Sequence, residues 1–226
     1  ASQADLELNF NIQGIRSQVI PIGVDLDSIE SSLLLPIVID LPDEFILQIG
    51  GLVPEKRPLE MIGIFRKVLE TFPNFKLVFL GSGPLQIILE NKINDLGLRD
   101  KILLIPSQEN IFPILTKAKA LVMPSAIEGL PAVLLEAMYC KIPVIACNVG
   151  GISEIVDSKT GWLIEKENLS SFGKTISNVL SLSQEDIERI TENSFKKVIL
   201  NYSNLKITKD FEKFYKSIKC DEDSLT

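Results

Sequence analysis

Residues 120–147 read ALVMPSAIEGLPAVLLEAMYCKIPVIAC. Two short apolar runs, 120–124 and 143–147, flank a longer one at 131–140 that begins with proline. The short runs lack apolar/polar alternation, so each reads as a strand buried on both faces. The middle run reads as a helix with Pro131 at its start, where a missing N–H costs nothing. Strand, helix and strand in that order predict a parallel pair joined by a right-handed crossover.

The same alternation continues outward on both sides. Further strands are expected at 19–23, 45–50, 76–81, 101–105 and 161–164, and helices at 58–70, 84–94, 111–118 and 152–156. Pro58 and Pro84 mark helix starts as Pro131 does. The fold class is therefore α/β, a parallel sheet with helices on both faces. Residues 1–16 read as one helix, and 26–44, with prolines and no clear period, as a connecting loop. Three polar-faced helices are expected at about 168–181, 184–201 and 204–218, ending in a frayed DEDSLT tail.

The chain has 226 residues, a formal charge of −7 and 46% hydrophobic residues, a globular composition with ample core material. An acidic surface argues against nucleic acid or an anionic membrane as the main partner. Histidine is absent, which excludes Ser-His-Asp and Cys-His catalysis and the usual zinc sites. Cys140, Cys147 and Cys220 lack metal-ligand spacing and are too few for a disulfide scaffold. No apolar run reaches a membrane span and no signal peptide opens the chain, so a cytoplasmic location is the default. The chain opens Ala1-Ser2-Gln3 without a methionine, which suggests a piece of something longer.

Ligands of open parallel sheets bind outside the carboxyl ends of the strands, so the loops there carry the candidate chemistry. After the first core strand, IGGLVPEKRP places Gly50 and Gly51 beside Lys56 and Arg57. Backbone open to a ligand next to two cations suits a diphosphate; the alternative is a glycine turn with solvated basic side chains. FLGSGPLQ opens like a dinucleotide fingerprint, but Gln86 holds the third glycine position, and a tight strand-to-helix turn is the better reading. Asp25 and Asp27 have a D-x-D spacing that suits a divalent cation, although capping a turn explains it as well.

In the quoted stretch, Gly129 lets backbone amides approach a ligand where a helix beginning near Leu130 aims its positive end. Glu128 stands just before that helix and Glu136 in its second turn. The rise from Leu130 to Glu136 is ~9 Å at 1.5 Å per residue, about the span from a sugar ring to a ribose across a pyrophosphate. The competing reading is a dipole-favoured glutamate and a solvent-facing one. NVGGISEIVD, after the next strand, offers a second glycine turn with Gly150, Gly151 and Glu154, either a ligand turn or a plain connector.

Taken in order, VIPIGVD, IGGLVPEKRP, FLGSGP, VMPSAIEGLPAVLLEAMYCKIPVIA and NVGGISEIVDSKTGWLI resemble the C-terminal, nucleotide-sugar-binding domain of the group-1 retaining glycosyltransferases. Those enzymes have the GT-B fold, so the resemblance implies a Rossmann-like domain over 17–200. It makes 1–16 the remnant of an N-terminal domain and 201–226 a crossing helix with its tail. Glu128 and Glu136 match the family's Glu-x7-Glu motif. The resemblance implies that Glu128 touches hydroxyls of the donor sugar and Glu136 holds the ribose. Lys56 would sit on the leaving diphosphate, with Gly50, Gly51 and Arg57 beside it. The amides of Gly129, Leu130, Pro131, Ala132 and Val133 would frame the sugar–phosphate end, and the loop with Ser107 would flank the base. Lys56 and Glu128 are thus the expected catalytic residues, with no metal and no cofactor.

The chain departs from the family pattern at several places. Gly51 stands where arginine is usual, Arg57 and Lys141 where glycine is common, Ser153 for a common proline and Ile22 for the asparagine before Gly-Val-Asp. The implied partners are a UDP- or GDP-sugar donor and an acceptor glycan or glycolipid, the latter bound through the missing N-terminal domain. A site peripheral to a membrane goes with such an acceptor. Two other readings stay open: a related nucleotide-sugar epimerase, and a noncatalytic donor-binding or scaffold module.

Overall fold

The structure, a computed structural model, describes residues 17–36 and 39–222. The helix expected over 1–16 and the last four residues of the expected DEDSLT tail lie outside those residues, while 221–222 still belong to the last helix. Six strands are present: β1 (Phe45–Ile49), β2 (Lys76–Leu80), β3 (Ile102–Ile105), β4 (Ala120–Met123), β5 (Val144–Asn148) and β6 (Trp162–Glu165). They form one parallel sheet in the order β3-β2-β1-β4-β5-β6. β1 pairs with β2 from Phe45↔Lys76 to Ile49↔Leu80, and with β4 at Ile46↔Ala120 and Leu47↔Leu121.

The strand order reverses between β1 and β4. From β1 the chain moves outward to β2 and β3; from β4 it moves the other way to β5 and β6. Crossovers of one hand therefore lie on opposite faces to either side of that line, and the loops leaving β1 and β4 diverge into a crevice. Between the strands run α1 (Leu26–Leu33), α2 (Pro58–Thr71), α3 (Gln86–Asp95), α4 (Phe112–Leu115), α5 (Ala132–Tyr139) and α6 (Ile152–Ile155), α1 preceding β1. After β6 come α7 (Leu169–Leu180), α8 (Gln184–Asn201) and α9 (Asn204–Glu222). α7 packs on α2 and α8 on α5, so the last helices seal the two faces rather than extend the sheet.

The central strands explain their sequences. All four residues of β4 and the first four of β1 are buried, as expected for strands covered on both faces. Gln48, in β1, is the one polar residue among these buried positions.

Two expectations fail. Residues 19–23 form no strand: Val24 makes a single bridge to Ser203, with Val24 N donating to Tyr202 O (2.8 Å) and Asn204 N to Val24 O (2.9 Å). Pro21 lacks the N–H a ladder needs, and Val19 and Ile22 stay exposed. Nor is 26–44 all loop, because α1 occupies its first part. Asp25 caps that helix by accepting from Ser28 N at 3.0 Å, and Ile29 is buried. The remaining differences are of length: α3 starts at Gln86, two residues past Pro84, and α4 and α6 are single turns.

Candidate functional site

The loops at the carboxyl ends of five strands form one row, each tied to the next. Ser107 N, after β3, donates to Ser82 Oγ after β2 (3.2 Å). Leu52 N donates to Ser82 O (3.1 Å), and Leu85 N to Leu52 O (3.0 Å), joining the β2 loop to the β1 loop. Ala126 N, after β4, donates to Glu55 O (2.7 Å), and Gly151 N, after β5, to Gly129 O (2.8 Å).

This contact explains four of the glycines, Gly81, Gly83, Gly150 and Gly151. A Cβ on Gly81 would sit 2.0 Å from Gly50 O, and one on Gly83 2.6 Å from Leu52 O. The FLGSGP turn is glycine-rich because two backbones lie against each other there. Gly150 has φ +55, and a Cβ on it would meet Glu128 O at 1.9 Å. Gly150 and Gly151 thus support the backbone of the Glu128 loop, and the Gly151 amide is already bonded.

Lys56 ends a 3₁₀ turn, Pro54–Lys56, and its side chain runs back over Gly50, whose Cβ position lies 3.6 Å from Lys56 Cε. Its Nζ meets Glu128 Oε1 at 2.5 Å, with the glutamate side chain only 8% exposed and the lysine side chain 26%. Two residues separated by 72 positions in the chain, both expected at the site, are brought together. An ammonium has three donors, so Lys56 can hold Glu128 with one and an anion with another.

α5 begins immediately beyond. Its N-cap, Pro131, provides no side-chain hydrogen bond, whereas Asp25 and Ser183 cap α1 and α8. The first amides of α5, from Ala132 and Val133, are the orphan donors of a helix start, and the helix dipole favours an anion there. Gly129 has nothing within 4 Å of its Cβ position, leaving backbone open beside Leu130 and Pro131. Gly51 is exposed, with its Cβ position 3.7 Å from Val53.

Glu136, a turn further along α5, is half-buried, and its carboxylate has no ion pair or hydrogen bond among the described residues. Burial raises its pKa above the ordinary 4.5. Below it, burial pushes the Cys140 thiol to about 12, and Tyr139 to about 12 with help from its hydrogen bond to Glu30 Oε1 (2.6 Å).

Arg57 lies next to Lys56 in the sequence but points elsewhere. With φ 50 it adopts the left-handed conformation, and its Nη1 donates to Lys166 O (3.2 Å) and Pro124 O (3.4 Å). It stands beside the buried Cys147, whose thiol burial pushes up to about 11 while the guanidinium pulls it the other way. Lys141 is the only other non-glycine residue with positive φ among the described residues. These are the two positions at which the resemblance noted above leads one to expect glycine.

Ser107 lines a cavity of about 550 Å³ with Leu35, Pro36, Gln108 and Asn110, where Asn110 Nδ2 also donates to Ser32 O of α1 (2.8 Å). Asp25 is engaged as the α1 cap and Asp27 sits in that helix's first turn, so helix capping accounts for the D-x-D spacing. Sequence reasoning passed over Gln48, whose Nε2 donates to Lys56 O (2.8 Å). A lone amide in the otherwise apolar FILQI strand was the available signal. Among the described residues, no helix is long and apolar enough to cross a membrane.

A family model described as glycosyl transferases group 1 matches residues 36–197. A Campylobacter jejuni protein named N-acetylgalactosamine-N,N'-diacetylbacillosaminyl-diphospho-undecaprenol 4-alpha-N-acetylgalactosaminyltransferase is 28% identical over 93% of this chain and 56% of its own length. The UDP-Gal:alpha-D-GlcNAc-diphosphoundecaprenol alpha-1,3-galactosyltransferase of Escherichia coli is 28% identical over 86% of this chain and 52% of its own. The chain thus spans about half the length of these curated relatives. A mutant of TarM from S. aureus, crystallised with fondaparinux, alpha-GlcNAc-glycerol and UDP, superposes with TM-score 0.77 at 21% identity, covering 95% of this chain and 42% of TarM. That likeness concerns the fold.

Proposed function

Because the chain belongs to the group 1 glycosyl transferases, we propose that it is the donor-binding part of a retaining enzyme that moves a sugar from a UDP- or GDP-sugar to an acceptor hydroxyl. The observation that carries this reading is the Lys56–Glu128 pair, 2.5 Å apart beside the uncapped start of α5 at the point where the sheet order reverses. In this reading the diphosphate lies on Lys56 and the amides of Ala132 and Val133. Glu128 takes hydroxyls of the sugar and Glu136 those of the ribose, while the base enters the cavity beside Ser107. Negative charge grows on the diphosphate as the glycosidic bond breaks. A fixed ammonium and oriented amides stabilise that charge more in the transition state than in the ground state. No protein nucleophile is required. The departing phosphate oxygen accepts the proton of the incoming hydroxyl on the same face, which retains the anomeric configuration.

The domain limits that go with this are 17–200 for the donor domain and 201–226 for a helix that crosses to a partner domain. The acceptor is a glycan or glycolipid; the names of both relatives contain a diphospho-undecaprenol unit. A lipid-linked acceptor goes with a cytoplasmic protein working at a membrane surface.

Calorimetry of the chain with UDP, GDP and ADP tests the reading. One of the three is expected to bind and to weaken about tenfold on Glu136→Ala, a typical loss for a site carboxylate on a ligand hydroxyl. The donor-site reading fails if none binds at millimolar concentration. A noncatalytic module is the second reading, favoured by Gly51 standing where the resemblance implies a usual arginine. It predicts nucleotide binding with no sugar transfer from the full-length protein.

A further inference from the structure

Lys56 reaches Glu128 only if the short turn that carries it is held in one place, and the turn itself is poor at holding its own shape. It is a single 3₁₀ turn with no side-chain cap, opened by Val53 and closed by Arg57 in a left-handed conformation that disfavours an L side chain. Two side chains grip it from opposite sides. From below, Gln48 of β1, 6% exposed, donates Nε2 to Lys56 O at 2.8 Å. From the flank, the Arg57 guanidinium reaches across to Pro124 O, just past β4, and to Lys166 O, just past β6.

Neither grip has a plain structural explanation. Gln48 Oε1 is buried with no hydrogen-bond partner, a state that costs stability relative to an apolar side chain of the same shape. Arg57 occupies a backbone conformation that glycine adopts without strain. Each carries a local cost, an unpartnered buried carbonyl oxygen in the strand and a left-handed backbone at the turn, and the two costs meet on either side of Lys56. That is the pattern expected where fixed geometry, rather than stability, is at stake.

We propose that Gln48 and Arg57 are positioning residues that fix the Lys56 turn, so that the ammonium stands where it meets both Glu128 and the distal phosphate of a bound nucleoside diphosphate. The proposal rests on the donor-site reading above. It makes Arg57 a support for the diphosphate site rather than one of its ligands.

The test is a double-mutant cycle on the wild-type chain, Gln48→Met, Arg57→Gly, Lys56→Ala and the two doubles with Lys56→Ala. Calorimetry is run with UDP and with UMP, or with the GDP or ADP pair if that diphosphate binds tighter. The readout is the ratio of monophosphate to diphosphate Kd, which isolates the distal phosphate from the base and ribose. Lys56→Ala is expected to collapse the ratio. Gln48→Met and Arg57→Gly are each expected to cut it about threefold or more, as coupled neighbours do, and to add nothing once Lys56 is alanine. Thermal melts of the same variants are expected to stay close to wild type, because each substitution removes a strained or unsatisfied group along with a hydrogen bond. The proposal is overturned if both variants keep the wild-type ratio, or if they lower it equally with and without Lys56. Failure of the wild-type chain to bind any of the three diphosphates overturns the donor-site reading and this inference with it.

Discussion

At the residue scale, Lys56 and Glu128 neutralise each other inside a crevice that is otherwise open at Gly51. The Gly51 Cβ position meets only van der Waals contacts, at 3.7 Å from Val53 and 3.8 Å from Ser82 O, so a longer side chain fits without moving backbone. Gly51→Arg is therefore expected to tighten UDP binding, measured by calorimetry at low and high salt. The gain should be about threefold to tenfold, below the ~1.5–3 kcal/mol of a charge-assisted hydrogen bond because the loop is exposed. It should shrink as salt rises.

Glu136 gives a pH prediction at the same scale. Burial raises its folded pKa above the ordinary 4.5, so the neutral acid is the form the fold prefers. Its contribution to stability is full below the unfolded value and is lost as pH rises through the raised folded value. Glu136→Gln should leave Tm unchanged near pH 4 and raise it at pH 7–8, as melting curves at the two pH values would show. Nucleotide affinity should move in the opposite sense, because an ionised carboxylate is the better acceptor for ribose hydroxyls.

At the element scale, three turns differ in what holds them. The first is the α1 start, where Asp25→Ala removes the cap and should cost ~1 kcal/mol, read from urea denaturation. The second is the β5–α6 turn. Gly150→Ala would place a methyl 1.9 Å from Glu128 O on a backbone with φ +55. We expect a loss of at least ~2 kcal/mol, from strain and overpacking together, accompanied by weaker nucleotide binding because the Glu128 loop must shift.

The third is the turn after α5. Lys141 has φ 56, yet its Nζ sits 2.6 Å from Glu192 Oε2 and 4.6 Å from the Phe195 ring centroid, tying α5 to α8. Lys141→Gly should relieve ~1 kcal/mol of backbone strain and lose an exposed ion pair and a cation–π contact of similar combined size. The net change in unfolding free energy is expected to lie within about 1 kcal/mol of zero. The same turn shows how a left-handed position is read from sequence. A glycine there announces the conformation, whereas a lysine conceals it and leaves only a tertiary contact as the sign.

At the scale of the whole molecule, the sheet order places the site and the chain pattern places the sheet. All six strands of the sheet were legible as short apolar runs, and most lack alternation because a strand buried on both faces, as β1 and β4 are, has no polar face to show. The failures were at the start. The 19–23 run has the apolar composition of a strand but carries Pro21 and pairs at a single bridge. The α1 segment hid behind a stretch with too short a period, although Leu26, Ile29 and Leu33 are spaced as one helix face.

The candidate site was legible to a similar degree. Spacing alone left Glu128 and Glu136 as glutamates at a helix start and on its second turn. The glycines could be seen but not assigned, since a glycine facing a ligand and one facing another backbone look alike in sequence. Only the structure shows that Gly81, Gly83 and Gly150 face neighbouring loops.

The sequence by itself determined the alternation of strand and helix, the parallel sheet that follows from it, and the residue types at the carboxyl edge. These rest on burial periodicity and turn chemistry, which act over a few neighbouring residues. The tertiary structure decided that Lys56 meets Glu128 across 72 positions, that Arg57 reaches backbone rather than the crevice, and that Gln48 grips the lysine's turn from the sheet below. Such contacts join segments far apart in the chain, and their geometry is set by how the sheet twists and packs, which no local pattern encodes.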